Sequence, residues 1–183
     1  MNALILVNAG QAFPKELALD LIPVHKNSPQ ILCQREAADA LSRLMEVLDG
    51  WQSIVPVSGW RSAEEQQALY VTSLREHGQS FTKKFVALPG HSEHQTGLAI
   101  DLGLRQPEID FIRPAFPYTG ICQRFRELAP AYGFIERYPA GKEAVTGIAH
   151  EPWHFRYVGT PHAAAITQAG LALEEYLACT YAK

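Results

Sequence analysis

Apolar residues along the chain fall into two rhythms, and the changes between them mark the elements. Residues 34–49 carry Ala37, Leu41, Leu44, Met45 and Leu48 at helical spacing, so one face is apolar, and Gly50 follows as a natural stop. A short β-prone run at 54–57 leads into Ser58-Gly59-Trp60-Arg61. Next comes Ser62-Ala63-Glu64-Glu65, which has the spacing of a capping box and predicts a second helix to about Arg75. Residues 77–94 hold Gly78, Pro89 and Gly90 among polar side chains and read as an irregular connection. A strand is expected at 98–102, a helix at 123–132 ending near Gly133, strands at 134–138 and 153–158, and one closing helix over 162–181. The apolar run near the start, Leu4 to Val7, reads as a first strand.

Residues 105–120 contain Pro107, Pro114 and Pro117, which resist both a helix and a central strand, so a long loop is expected there. Loops of that length in a compact domain are often functional. Helices and strands mix without regular βαβ alternation. The reading is α+β, a small, largely antiparallel sheet flanked by helices, in one domain over 1–183.

Composition narrows the function. With 47% apolar and 19% charged residues in 183, the chain can bury one sizeable core and is not disordered. A net charge of -3 with interspersed signs gives no footprint for nucleic acid or an anionic membrane, so a small or peptidic substrate is expected. No basic residue precedes the first apolar run, and Asn8 and Gly10 interrupt it, so a cytoplasmic protein is expected. Cys33, Cys122 and Cys179 are widely spaced without a CxxC pair, and read as buried thiols rather than ligands or bridges.

The candidate chemistry lies in two distant segments. In Ser92-Glu-His94-Gln-Thr-Gly97-Leu-Ala-Ile-Asp101-Leu, the aspartate sits in an apolar run, where a buried charge is costly unless something compensates it. A cation is one compensation. The second segment, His150-Glu151-Pro152-Trp153-His154, has a proline that turns Glu151 away from helical geometry, so it is not the helical HExxH arrangement. His94, Asp101 and His154 make a catalytic zinc set that leaves a fourth position open. Glu151 is the candidate base, and Arg61, at a strand-to-helix junction, is the candidate donor to a carboxylate or an oxyanion. His91 competes as a ligand, but a fourth protein ligand would close the site. His150 and His162 read as supporting or surface groups, and His25 and His77 as surface groups.

Three segments, SGWRSAEEQ, PGHSEHQTGLAIDL and EPWHFRYVG, resemble in their order the signatures of the zinc D,D-carboxypeptidases of the VanY and VanXY type. The stretches FVALPG, ERYP and TGIAHEPWHFRYVGTPH look closest to the VanXY proteins. The resemblance implies the D,D-peptidase (hedgehog-like) zinc peptidase fold, with Zn2+ on His94, Asp101 and His154, Glu151 as base and Arg61 stabilising the transition state. It also implies that Gln66 and Ser92 line the substrate pocket. The implied activity is hydrolysis of D-Ala-D-Ala and removal of the terminal D-Ala from cytoplasmic peptidoglycan precursors, which deprives vancomycin of its target. Ser58 stands where some relatives carry an acid, which bears on dipeptidase efficiency. Alternatives are a peptidoglycan endopeptidase of endolysin type, a metal-stabilised binding module without catalysis, and an interaction protein without metal. The loop 105–120 is expected to overhang the zinc and help choose between short and long substrates.

Overall fold

The computed structural model describes residues 2–14 and 17–181. Strands β1 (Leu21–Pro23) and β2 (Leu32–Gln34) form a hairpin, followed by α1 (Arg35–Leu48), β3 (Ile54–Ser58) and α2 (Ala63–Phe85). After them come β4 (Ala99–Leu104), α3 (Gly120–Leu128), β5 (Phe134–Tyr138), α4 (Glu143–Thr146), β6 (Glu151–Tyr157), α5 (His162–Ala169) and α6 (Leu173–Tyr181). The main sheet has the order β3-β4-β6-β5 with every neighbouring pair antiparallel. The α+β reading with a small antiparallel sheet therefore holds.

Alternation along the strands builds a core on both faces of the sheet. Consecutive residues point to opposite faces. Accordingly Phe134 joins Ile54, Ile100, Leu102 and Phe155 with the apolar face of α1, while Ile135 joins Val158, Ile166, Leu173 and Leu177. The five apolar residues read from the α1 pattern are all buried. Asp101 and His154, which alternate with Ile100 and Phe155, therefore point to the second face.

Four expectations are corrected. No strand forms over the first apolar run, where only an isolated bridge joins Asn8 and Gln11; the carbonyls of Ala3 and Ile5 instead accept from Arg156. The capping box at Ser62 and Glu65 is present, but α2 continues past Arg75 to Phe85 across a break at Gly78 (φ 79). A buried hydroxyl pair, Ser73 and Thr82 at 2.8 Å, ties the two halves together, which no local pattern announces. The closing helix is two helices, because Gly170 (φ 62) takes the left-handed conformation that ends α5. Of the cysteines, Cys33 and Cys122 are buried but Cys179 is exposed.

The β1-β2 hairpin was not foreseen, and it props the site from behind. Trp60 N–H donates to Leu32 O at 2.6 Å, and a Cβ on Gly59 would stand 2.3 Å from that same oxygen. Only glycine fits. Gly59→Ala is expected to cost about 1–3 kcal/mol through forced displacement of the hairpin. Urea denaturation checks it, and an unchanged midpoint would remove the hairpin from its buttressing role.

Candidate metal centre

Register brings the first two candidate ligands together. Asp101 on β4 lies directly opposite His154 on β6, a spacing at which side chains on one face touch. His94 arrives from the turn Glu93–Thr96 just before β4, and its Nδ1 lies 2.6 Å from Gly59 O, which leaves Nε2 facing inward. Asp101 Oδ2 is 3.1 Å from His94 Nε2, and Asp101 Oδ1 is 2.9 Å from His154 Nδ1. One ligand atom from each of the three residues lies within 4.8 Å of the others, and all three residues are buried.

The donor set fits a divalent cation. Asp101 Oδ1 has no hydrogen-bond partner despite its short approach to His154, so the two atoms face a shared space rather than each other. Converging lone pairs of this kind are what a metal ion satisfies, and two imidazoles with one carboxylate leave a coordination position free. Burial alone would raise the Asp101 carboxyl, but the two imidazoles outweigh it and hold it below the usual range. For His94, burial outweighs Asp101 and keeps the imidazole neutral, the ligating form. His154 moves the other way: burial is overcome by its contacts with Asp101 and Glu93.

Strict alternation would place Glu151 and His154, three apart, on opposite faces of β6. A register shift between Glu136↔Phe155 and Tyr138↔Glu151 prevents that, and Glu151 Oε2 lies 3.7 Å from His154 Nδ1. Burial lifts the Glu151 carboxyl well above the carboxylate range, with Asp101 adding to it and His154 and Arg61 opposing. A carboxyl poised in this way can both accept and return a proton.

Arg61 is held by neutral oxygens: Nη1 donates to Gln66 Oε1 and Nη2 to Ser58 Oγ, each at 2.7 Å. Gln66 is itself fixed by Ala87 O at 2.7 Å. Among the described residues no carboxylate contacts the guanidinium directly, so it can serve an incoming anion. A bulge between Pro56 and Ser58 sets Ser58 opposite Asp101 and so places this arginine beside the centre.

A sequence profile of the D-alanyl-D-alanine carboxypeptidases, VanY, matches residues 30–160. The chain belongs to the VanY family. It is 43% identical over 178 residues to the bifunctional D-Ala-D-Ala dipeptidase and D-Ala-D-Ala carboxypeptidase VanXYC of Enterococcus gallinarum, covering 96% of this chain and 94% of the relative. It is also similar to a solved vancomycin-resistance D,D-dipeptidase, VanXYg, in complex with a D-Ala-D-Ala phosphinate analog. There the TM-score is 0.94 at 53% identity, over 96% of this chain and 70% of that one. A variant of the D,D-pentapeptidase VanY of a VanB-type cassette, solved with Zn(II), gives a TM-score of 0.78 at 29% identity, over 97% and 99% of the two chains.

In this VanY-family site the other expected residues are distributed as follows. Gln66 and Ser92 line the same cavity as Arg61, His94, Asp101, Glu151 and His154. Its remaining wall includes Tyr138 and Trp153, together with Phe111 and Ile112 from the loop 105–120. His91 is not among the converging ligand atoms; its Nδ1 lies 2.8 Å from Asn8 O. His150 joins Tyr118 and Glu136, His162 joins Tyr176, and His25 stacks on Trp51, half-buried rather than fully on the surface. His77 is exposed. Sequence reasoning missed Glu93, Arg137 and Arg156, which are wholly buried behind His154. The one signal available was the two arginines inside apolar strand segments.

Ligand and base should separate in metal content. Asp101→Ala and His154→Ala are expected to purify with little metal, and Glu151→Ala with about one equivalent, because ligands and base have different roles. Elemental analysis reads this directly, and a metal-replete His154→Ala protein would contradict the ligand assignment.

Proposed function

We propose that this chain is a zinc D,D-peptidase that hydrolyses D-Ala-D-Ala and removes the terminal D-Ala from peptidoglycan precursors ending in that dipeptide, thereby contributing to vancomycin resistance. The observation that carries the reading is the convergence of His94, Asp101 and His154 with Glu151 and the uncancelled Arg61 on one cavity. His94, Asp101 and His154 hold the zinc. When bound, zinc supplies Lewis-acid polarisation and lowers the pKa of water to about 7.

Glu151 takes the proton of the attacking water and returns it to the leaving amine of D-Ala. Arg61, braced by Ser58 and Gln66, offers its donors to the negative oxygen that develops on the scissile carbonyl. Gln66 and Ser92 line the substrate's path. Because the Ser58 hydroxyl is engaged by Arg61 and carries no charge, it gives a dipeptide's free ammonium no electrostatic hold. Free dipeptide exists before it is joined to a precursor, so the reading includes action in the cytoplasm. Among the described residues no helix is long and apolar enough to cross a membrane.

The loop 105–120 is part of this reading, since Phe111 and Ile112 sit on the cavity wall. Arg113 anchors it by lying 5.2 Å from the Phe81 ring centre in the second half of α2. The loop thereby limits how long a substrate can enter. Shortening it should change the ratio of dipeptide to pentapeptide turnover, and an unaltered ratio would remove the loop from substrate choice.

Release of D-Ala from dipeptide and from pentapeptide precursor, with and without a chelator, tests the function. Chelation is expected to abolish both. Glu151→Ala should lose about 10²–10⁴-fold in turnover, and Arg61→Ala about 10²–10³-fold. Near-parental cleavage by the Glu151 variant would overturn the assignment of the base.

A further inference from the structure

Behind the metal centre lies a buried ion network. Glu93 has a fully buried side chain, and its Oε1 accepts from Arg137 Nε at 2.7 Å and from Arg156 Nη1 at 2.9 Å. Arg137 spends its other two nitrogens on Glu174 of α6, at 2.9 and 2.6 Å. Arg156 Nη2 donates to the carbonyls of Ala3 and Ile5, at 3.0 and 2.6 Å. Burying such a set takes charges out of water at a cost, and an apolar replacement often does as well or better for stability. Stability alone is therefore a weak reason for its presence.

The second oxygen of Glu93 suggests the reason. Oε2 has no hydrogen-bond partner, His154 Nε2 has none either, and the two buried atoms lie 3.6 Å apart. The other nitrogen of that imidazole, Nδ1, faces Asp101 and the metal centre. An imidazole that ligates through Nδ1 carries its proton on Nε2, and that proton needs an acceptor. Oε2 of Glu93 is the unpartnered acceptor beside it.

We propose that Glu93 is the positioning residue of the metal ligand His154: its Oε2 accepts the Nε2 proton, which fixes the ring and its tautomer, while Arg137 and Arg156 hold the carboxylate in place. The inference rests on the metal-site reading above. Glu174 and the carbonyls of Ala3 and Ile5, which lie outside the matched residues 30–160, occupy the far sides of those two arginines.

Zinc affinity by chelator competition, measured on the parent, Glu93→Gln and Glu174→Gln, tests the idea. A glutamine amide can turn its oxygen to the arginines or to His154 but not to both, so one side meets a donor. Glu93→Gln is expected to lose about 10–100-fold in zinc affinity. Glu174→Gln, altered on the far side of Arg137, is expected to lose thermal stability while keeping the parent's affinity. Nitrogen-15 NMR of the cadmium-113-loaded parent covers the case in which the Glu93 variant does not fold. It should show metal coupling at His154 Nδ1 and a slowly exchanging proton on Nε2. Coupling at Nε2, or parental zinc affinity in folded Glu93→Gln, would overturn the proposal. A parent chain that binds no zinc would instead sink the metal-site reading on which it rests.

Discussion

A carboxylate buried in an otherwise apolar strand, β4, is the constraint around which this protein is arranged. Asp101 follows Ala99 and Ile100 and precedes Leu102, all fully buried, so its charge must be met locally. Pairing of β4 with β6 supplies one imidazole from directly across the sheet, and the turn before β4 supplies the other. Neither contact removes the negative charge when the imidazoles are neutral. A cation held by all three would, and the same arrangement would leave it open to substrate.

Charge balance explains the rest of the pocket. Four carboxylates, Glu93, Asp101, Glu151 and Glu174, share the region with three guanidiniums, Arg61, Arg137 and Arg156. Two of those arginines are committed to Glu93. Asp101 and Glu151 are left with Arg61, which touches neither of them but is bonded to Ser58 and Gln66. Arg61, bonded only to neutral oxygens among the described residues, favours binding an anionic substrate group.

How much of this could be read in advance follows from what local pattern encodes. The α1 face, the capping box at Ser62, the strand around Asp101 and the proline-rich loop each announce themselves within a few residues. So do His94, Asp101, Glu151, His154 and Arg61, because their residue types and spacings resemble a family's signatures. Features made by tertiary contact could not be read locally. The β1-β2 hairpin is only three residues a side and is tied to the site by Leu32 O receiving Trp60 N–H. The Ser73–Thr82 pair carries α2 beyond Gly78, and the Glu93 network joins residues 3, 5, 93, 137, 156 and 174, which no window spans. Bulges at Pro56/Ser58 and Glu136/Tyr138 shape the site, yet alternation alone would predict the opposite face for Glu151.

X-ray absorption at the zinc edge of the loaded, substrate-free protein tests the central claim most directly. The account predicts two imidazole nitrogens at about 2.0–2.1 Å and a carboxylate oxygen at about 2.0–2.2 Å, with the remaining position filled by solvent oxygen. A shell containing sulfur, or one closed by a third imidazole, would contradict it.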